Sequence, residues 1–138
     1  NVTQKRLELC GIKKIEEIII PHKENILCNK IQICINRNVD IILIIGPHAI
    51  THIKDVIPNA ISKSGAKIIR FGIPVEPGNL LLLSKFKSSN KDIYIIGMPS
   101  CAKSPKENGL DWVLWRILCN INFKNSNLNE LSVGGLIK

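Results

Sequence analysis

The apolar positions of the chain fall into short blocks whose spacing switches repeatedly between helical and extended. Thr3 is placed to cap a first helix that carries Leu7 on its apolar side and stops at Gly11, a residue suited to the left-handed position after a helix end. Lys13 to Ile20 alternates and then turns wholly apolar before Pro21, as a strand entering a sheet does. From Glu24 to Asn36, the residues Ile26, Leu27, Ile31, Ile33, Cys34 and Ile35 form a broad stripe, which predicts a helix laid on a sheet face. From Asp40 to Gly46 the chain runs through Ile and Leu with no polar position between the two ends. A strand covered on both faces has no solvent side to show, so this run predicts a buried strand of a parallel sheet.

Asp55 can cap the next helix, with Pro58 in its first turn, Gly65 past its end, and Val56, Ile57, Ala60 and Ile61 as its apolar face. Lys67 to Gly72 reads as another strand, which Pro74-Val75-Glu76-Pro77-Gly78 must interrupt. Leu80 to Leu83 and Asp92 to Gly97 flank the polar turn Lys87-Ser88-Ser89-Asn90-Lys91 and predict a hairpin. Ser104-Pro105-Lys106-Glu107 matches a capping box, and Leu110, Val113, Leu114, Ile117, Leu118 and Ile121 recur behind it at helical spacing. Strands alternating with helices predict an α/β fold: a three-layer α/β/α sandwich around a mostly parallel sheet, with one hairpin as an antiparallel edge. One domain spanning residues 1–138 is expected. Because the series opens on a helix, the strand that normally begins it is expected upstream, in a longer parent chain.

Length and composition agree with a single core: 138 residues, 45% of them apolar. The longest apolar runs, Ile41 to Ile45 and Leu80 to Leu83, fall far short of the roughly 20 residues that cross a bilayer. No membrane span is expected, and the opening Asn1-Val2-Thr3-Gln4-Lys5-Arg6 does not resemble a secretory leader. Five cysteines (Cys10, Cys28, Cys34, Cys101, Cys119) form no CxxC pair, which speaks against a disulfide framework and a zinc ribbon and for a reducing, cytoplasmic compartment.

The net charge of +8 asks for a phosphate-bearing partner, either a small ligand or nucleic acid, although a bias toward Ile, Asn and Lys explains it equally well. The lysines are dispersed in short clusters such as Lys13-Lys14, and two Trp, one Tyr and three Phe are too few for a base-stacking platform. Nucleic acid is therefore the weaker choice.

In open α/β sheets ligands sit beyond the carboxyl ends of the strands. Three loops qualify: Gly46-Pro47-His48-Ala49-Ile50-Thr51, Pro74-Val75-Glu76-Pro77-Gly78-Asn79, and Gly97-Met98-Pro99-Ser100-Cys101-Ala102-Lys103-Ser104. The first and third lead into predicted helices, whose N-terminal amides favour an anion. Neither a Walker A nor a GxGxxG pattern is present.

Taken together, the loops resemble the molybdopterin-binding domain shared by molybdopterin adenylyltransferases and molybdenumtransferases, over nearly the whole chain. Asp40 to Gly46 resembles the family's strand into its glycine-rich loop, and Asp55-Val56-Ile57-Pro58 its acidic residue and proline opening the next helix. Pro77-Gly78-Asn79-Leu80 is similar to its Pro-Gly loop, and Gly97-Met98-Pro99-Ser100-Cys101 takes the place of its Leu-Pro-Gly-Asn loop. Two longer strings, Glu76 to Leu83 and Cys101 to Leu114, resemble the subgroup of stand-alone or fused molybdopterin-binding modules.

The resemblance implies binding of molybdopterin or the molybdenum cofactor. The implied contacts are Gly46, Pro47, His48 and Ala49 in the first loop, Glu76, Pro77, Gly78 and Asn79 in the second, and Pro99, Ser100, Cys101, Lys103 and Ser104 in the third. Asp55 is the implied catalytic carboxylate, able to hold Mg²⁺ against a phosphate if the chain adenylates molybdopterin with ATP. Trimers are common among small relatives, so a homo-oligomer is expected too. The chain departs from the enzymes where Pro47, His48 and Ala49 replace consecutive glycines and a hydroxyl residue. Pro47 removes an amide donor. Ser100 stands for a glycine and Asn79 for a lysine, so binding is the primary expectation and catalysis the alternative.

Other residues have ordinary explanations beside the functional ones. Asp55 needs no function beyond capping a helix. His48 and His52 have a ligand-like spacing but lack the glutamate of HExxH and a third partner, so no metal site is expected. Cys101, beside a helix start, is in a setting that lowers a thiol pKa. Lys103 and Lys106 can neutralise a phosphate or simply be solvated, and Trp112 and Trp115 suit packing or an oligomer contact.

Overall fold

The computed structural model describes residues 1–121 and 128–129. Its elements are α1 (Val2–Leu9), α2 (Glu24–Asn36), β1 (Ile41–Ile44), α3 (Val56–Lys63), β2 (Lys67–Phe71), β3 (Leu82–Lys87), β4 (Asp92–Gly97), a 3-10 turn (Ser100–Lys103) and α4 (Gly109–Leu118). The strands form one sheet in the order β1-β4-β3-β2.

The chain is mixed α/β, but the sheet is not mostly parallel. Only β1 and β4 pair in parallel, while β2 with β3 and β3 with β4 are antiparallel. Connection length explains this. Parallel neighbours need a crossover of about a dozen residues or more, usually a helix. Residues 72–81 contain no helix, and the turn at 88–91 closes with Ser88 N–H donating to the Lys91 carbonyl at 2.9 Å. Each connection therefore reverses the chain, and the predicted hairpin occupies the middle of the sheet instead of its edge.

Strand alternation sends side chains into two apolar clusters. Ile41, Leu43, Leu83, Tyr94 and Ile96 join Leu7 of α1 and Leu110, Val113, Leu114 and Ile117 of α4. Ile42, Ile44, Leu82 and Ile95 join Leu27 and Ile31 of α2 and Ile57, Ala60 and Ile61 of α3. The unbroken Ile-Leu run of β1 thus has apolar partners on both faces, as expected. Ser84, fully buried on β3, is accommodated because its hydroxyl donates to the Ile95 carbonyl at 2.5 Å.

Lys13 to Ile20 does not become a strand: the segment joins no ladder among the described residues. Residues eight apart in a regular strand share a face, yet Ile12 packs into the first cluster and Ile20 into the second. The segment passes from one side of the sheet to the other, leaving Ile19 91% exposed. Two bonds from Arg37 to the Glu16 carboxylate, at 3.0 and 2.7 Å, tether it.

Helix ends follow local polar chemistry. α1 is capped by Asn1, whose side chain accepts from the Thr3 amide at 3.0 Å, so the helix starts before Thr3. It ends in a Schellman pattern, with Gly11 at φ +81°, Gly11 N–H donating to the Glu8 carbonyl and Ile12 N–H to the Leu7 carbonyl. Asp55 caps α3 as expected, its carboxylate accepting from the Val56 amide at 2.8 Å. Ser104 and Glu107 do not cap α4. That helix begins at Gly109, behind Asn108, and ends at Leu118, so Ile121 lies beyond it. No described helix is long and apolar enough to cross a membrane.

Candidate functional site

Two reversals bring β4 back to the direction of β2, and the parallel pairing gives β1 that direction too. The registers Ile44 with Gly97, Leu82 with Gly97 and Phe71 with Leu82 put the carboxyl ends of β1, β2 and β4 along one edge. The three predicted loops leave the sheet from that rim, and Met98 N–H donates to the Ile44 carbonyl at 2.9 Å where the first and third begin.

The second loop is seated on the start of α4. Gly78 has φ +122°, and a Cβ there would lie 2.6 Å from the Gly109 nitrogen. A Cβ on Gly109 would in turn meet Ile73 Cδ1 at 2.7 Å. Only two glycines allow the backbones to approach this closely, and Gly109 N–H uses the approach to donate to the Pro77 carbonyl at 2.8 Å. Beside it, the Asn108 side chain accepts from Leu110 N–H at 3.0 Å and Asp111 accepts from Asn108 N–H at 2.9 Å, completing a capping box.

Arg6 completes the support of the third loop. The guanidinium is 7% exposed. Its Nε donates to Asp111, Nη1 to the Ala102 carbonyl at 2.9 Å, and Nη2 to the Ser104 and Lys106 carbonyls at 3.1 Å each. Burying a charge is costly unless it is paired and fully bonded, and these four bonds meet that condition. The amides opening α4, expected to favour an anion, are already taken, because Gly109, Leu110 and Asp111 N–H all donate within the protein.

The first loop is more open. Gly46 and Ala49 are half-buried, Pro47 and His48 exposed, and Ile50 anchors the loop from beneath, its Cδ1 lying 2.5 Å from where a Gly97 Cβ would be. His52 Nδ1 accepts from Lys54 N–H at 3.0 Å, and Asp55 N–H donates to the His52 carbonyl at 3.1 Å. A depression of about 310 Å³ borders the loop, lined by Ile20, Pro21, His22, Leu27, Ile44, Ile45, Gly46 and Pro47. It draws on the first loop but includes none of Glu76–Asn79 or Pro99–Ser104.

On the rim, Glu76, Asn79, Ser100 and Lys103 are exposed, Pro77, Cys101 and Ser104 half-buried, and Gly78 and Pro99 buried. Burial pushes the Cys101 thiol above its ordinary pKa; its own backbone amide opposes the shift, and the Glu76 carboxylate adds to it. The lowered thiol pKa that a helix start can give is therefore not found at this position. Among the described residues no cluster of three or more His, Cys, Asp and Glu could hold a metal ion.

Sequence reasoning missed Arg6, Asn108, Gly109 and Asp111. A signal for three of them was present: Asn108-x-x-Asp111 directly follows the Ser104 box, and the apolar repeat begins only at Leu110, which suits a cap at 108 better than one at 104. Glu107, the presumed box partner, instead accepts from the Trp112 indole at 2.8 Å. No protein-family model, curated protein or solved structure matches the chain.

Proposed function

We propose that the chain binds molybdopterin, or the molybdenum cofactor built on it, at the rim where the three loops leave the sheet. The observation that carries this reading is that the three loops leave the sheet along one edge, with the second seated on the start of α4 through Gly78 and Gly109. The chemistry of the rim suits such a ligand. The amino-pyrimidinone edge of a pterin presents adjacent N–H donors that a carboxylate accepts, and Glu76, Asn79 and Ser100 are exposed in the second and third loops. Lys103 and Lys106 supply positive charge for the phosphate in place of the occupied α4 amides.

Binding without catalysis is favoured. Pro47 offers no amide donor in the first loop, and the Asp55 carboxylate already sits on the α3 N-terminus, where it repels an anion unless a cation such as Mg²⁺ intervenes. The same reading takes the two covered faces of the sheet as a three-layer α/β/α sandwich, places the protein in the cytoplasm, and expects a homo-oligomer, a trimer by the same resemblance.

The test is anaerobic titration of the purified chain with molybdopterin released from a holoenzyme, followed by mass spectrometry of the retained ligand. Stoichiometric retention is expected. Failure to retain it, under conditions where a molybdopterin adenylyltransferase does, overturns the proposal.

A further inference from the structure

We propose that Arg6 is the positioning residue of the third loop, a clamp reaching across the fold from α1 to set the shape of the ligand rim. Three of its four bonds go to carbonyls of a single short stretch, Ala102, Ser104 and Lys106, and the fourth to Asp111, which caps the helix that follows. A guanidinium is a rigid planar fork, so its donors fix the directions of the carbonyls they meet. Each peptide group is planar, and orienting its carbonyl orients the whole unit. Leu7 and Arg6 are the buried residues of α1, Leu7 entering the first apolar cluster while Arg6 turns to the third loop. Arg6 therefore acts on the stretch carrying Lys103 and Ser104 without standing on the rim.

The ligand part of this inference rests on the proposed pterin site; the loop part does not. Both are tested in the intact chain with Arg6→Lys, which keeps the charge facing Asp111 but replaces the fork with a single centre. Alkylation by iodoacetamide is followed at each cysteine by peptide mass spectrometry. Cys101, half-buried in the loop, reports its opening, and Cys28, half-buried on α2 among the second cluster, reports opening elsewhere.

The expected result is a Cys101 rate raised tenfold or more with Cys28 changed less than twofold, and molybdopterin binding weakened about tenfold. An unchanged Cys101 rate overturns the clamp, as does an equal rise at both cysteines, which marks general destabilisation. If neither Arg6→Lys nor Arg6→Gln accumulates folded protein, Arg6 serves the whole fold and the proposal also fails. Selective loosening with unaltered pterin binding removes the positioning role. A wild-type chain that binds no pterin overturns the proposed function instead, and the cysteine rates still decide the clamp.

Discussion

The first and third loops leave neighbouring parallel strands at the same edge, yet they are held by different means. The third is fastened from far along the chain by a buried arginine of α1, and the α4 start behind it carries a capping box and the glycine contact with the second loop. The first is held by Ile50 beneath it and by short-range bonds around His52 and Asp55. The third loop is thus fixed by long-range buried hydrogen bonds, and the first by one packed side chain and local turn chemistry. A preorganised receptor needs loops fixed by packing and buried hydrogen bonds, so the third loop, and the second seated on the start of α4, form the rigid part of the proposed binding edge.

Breaking the rigid side has the largest effects. Asp111→Ala leaves Arg6 charged, buried and without its anion, and a loss of about 3–5 kcal/mol is expected in urea unfolding. Gly78→Ala drives a methyl group into the Gly109 backbone at a positive φ; a loss of about 2–3 kcal/mol is expected, with the second loop displaced from α4. The first loop responds more mildly. Asp55→Ala removes one helix cap and is expected to lower stability by about 1 kcal/mol while molybdopterin retention stays within twofold of wild type. A large loss of retention would mean that the locally held loop contributes as much to binding as the clamped one.

The smallest expected effect is a pH dependence. Bonding to Arg37 holds the Glu16 carboxyl below its ordinary pKa. The stabilisation it contributes is present above that ordinary value and is lost as pH falls through the lowered one. Both groups are more than half exposed, so the contribution is slight. Glu16→Gln should flatten only the acid limb of a stability-against-pH curve.

What could be read in the sequence followed the range of the interactions. The α2 helix, the Asp55 cap, the 88–91 turn and the glycines at the ends of β2 and β4 depend on neighbours within a few residues, and the fold kept them, although Ile26 and Ile33 of the α2 stripe are exposed. Strand direction was misjudged because alternation of strands and helices suggested crossovers, whereas the helix-free connection at 72–81 permits only a return. Arg6 gave no sign of its role: one arginine on a helix with a single buried leucine looks like surface charge until residues 102–111 fold against it. The burial that raises the Cys101 thiol pKa was invisible for a related reason, since proximity to a helix start can be read in sequence and burial cannot.

The parallel pairing also orders the folding process. β3 and β4 join across a short turn, whereas Ile41 must find Tyr94 from about fifty residues away, and closing so long a loop costs entropy before any contact repays it. The central hairpin is accordingly an early folding unit, and docking of β1 is a late step. Nascent or partly denatured chains would carry a finished meander with no receptor, so capacity for ligand should return after the bulk of the secondary structure when unfolded protein is diluted from denaturant.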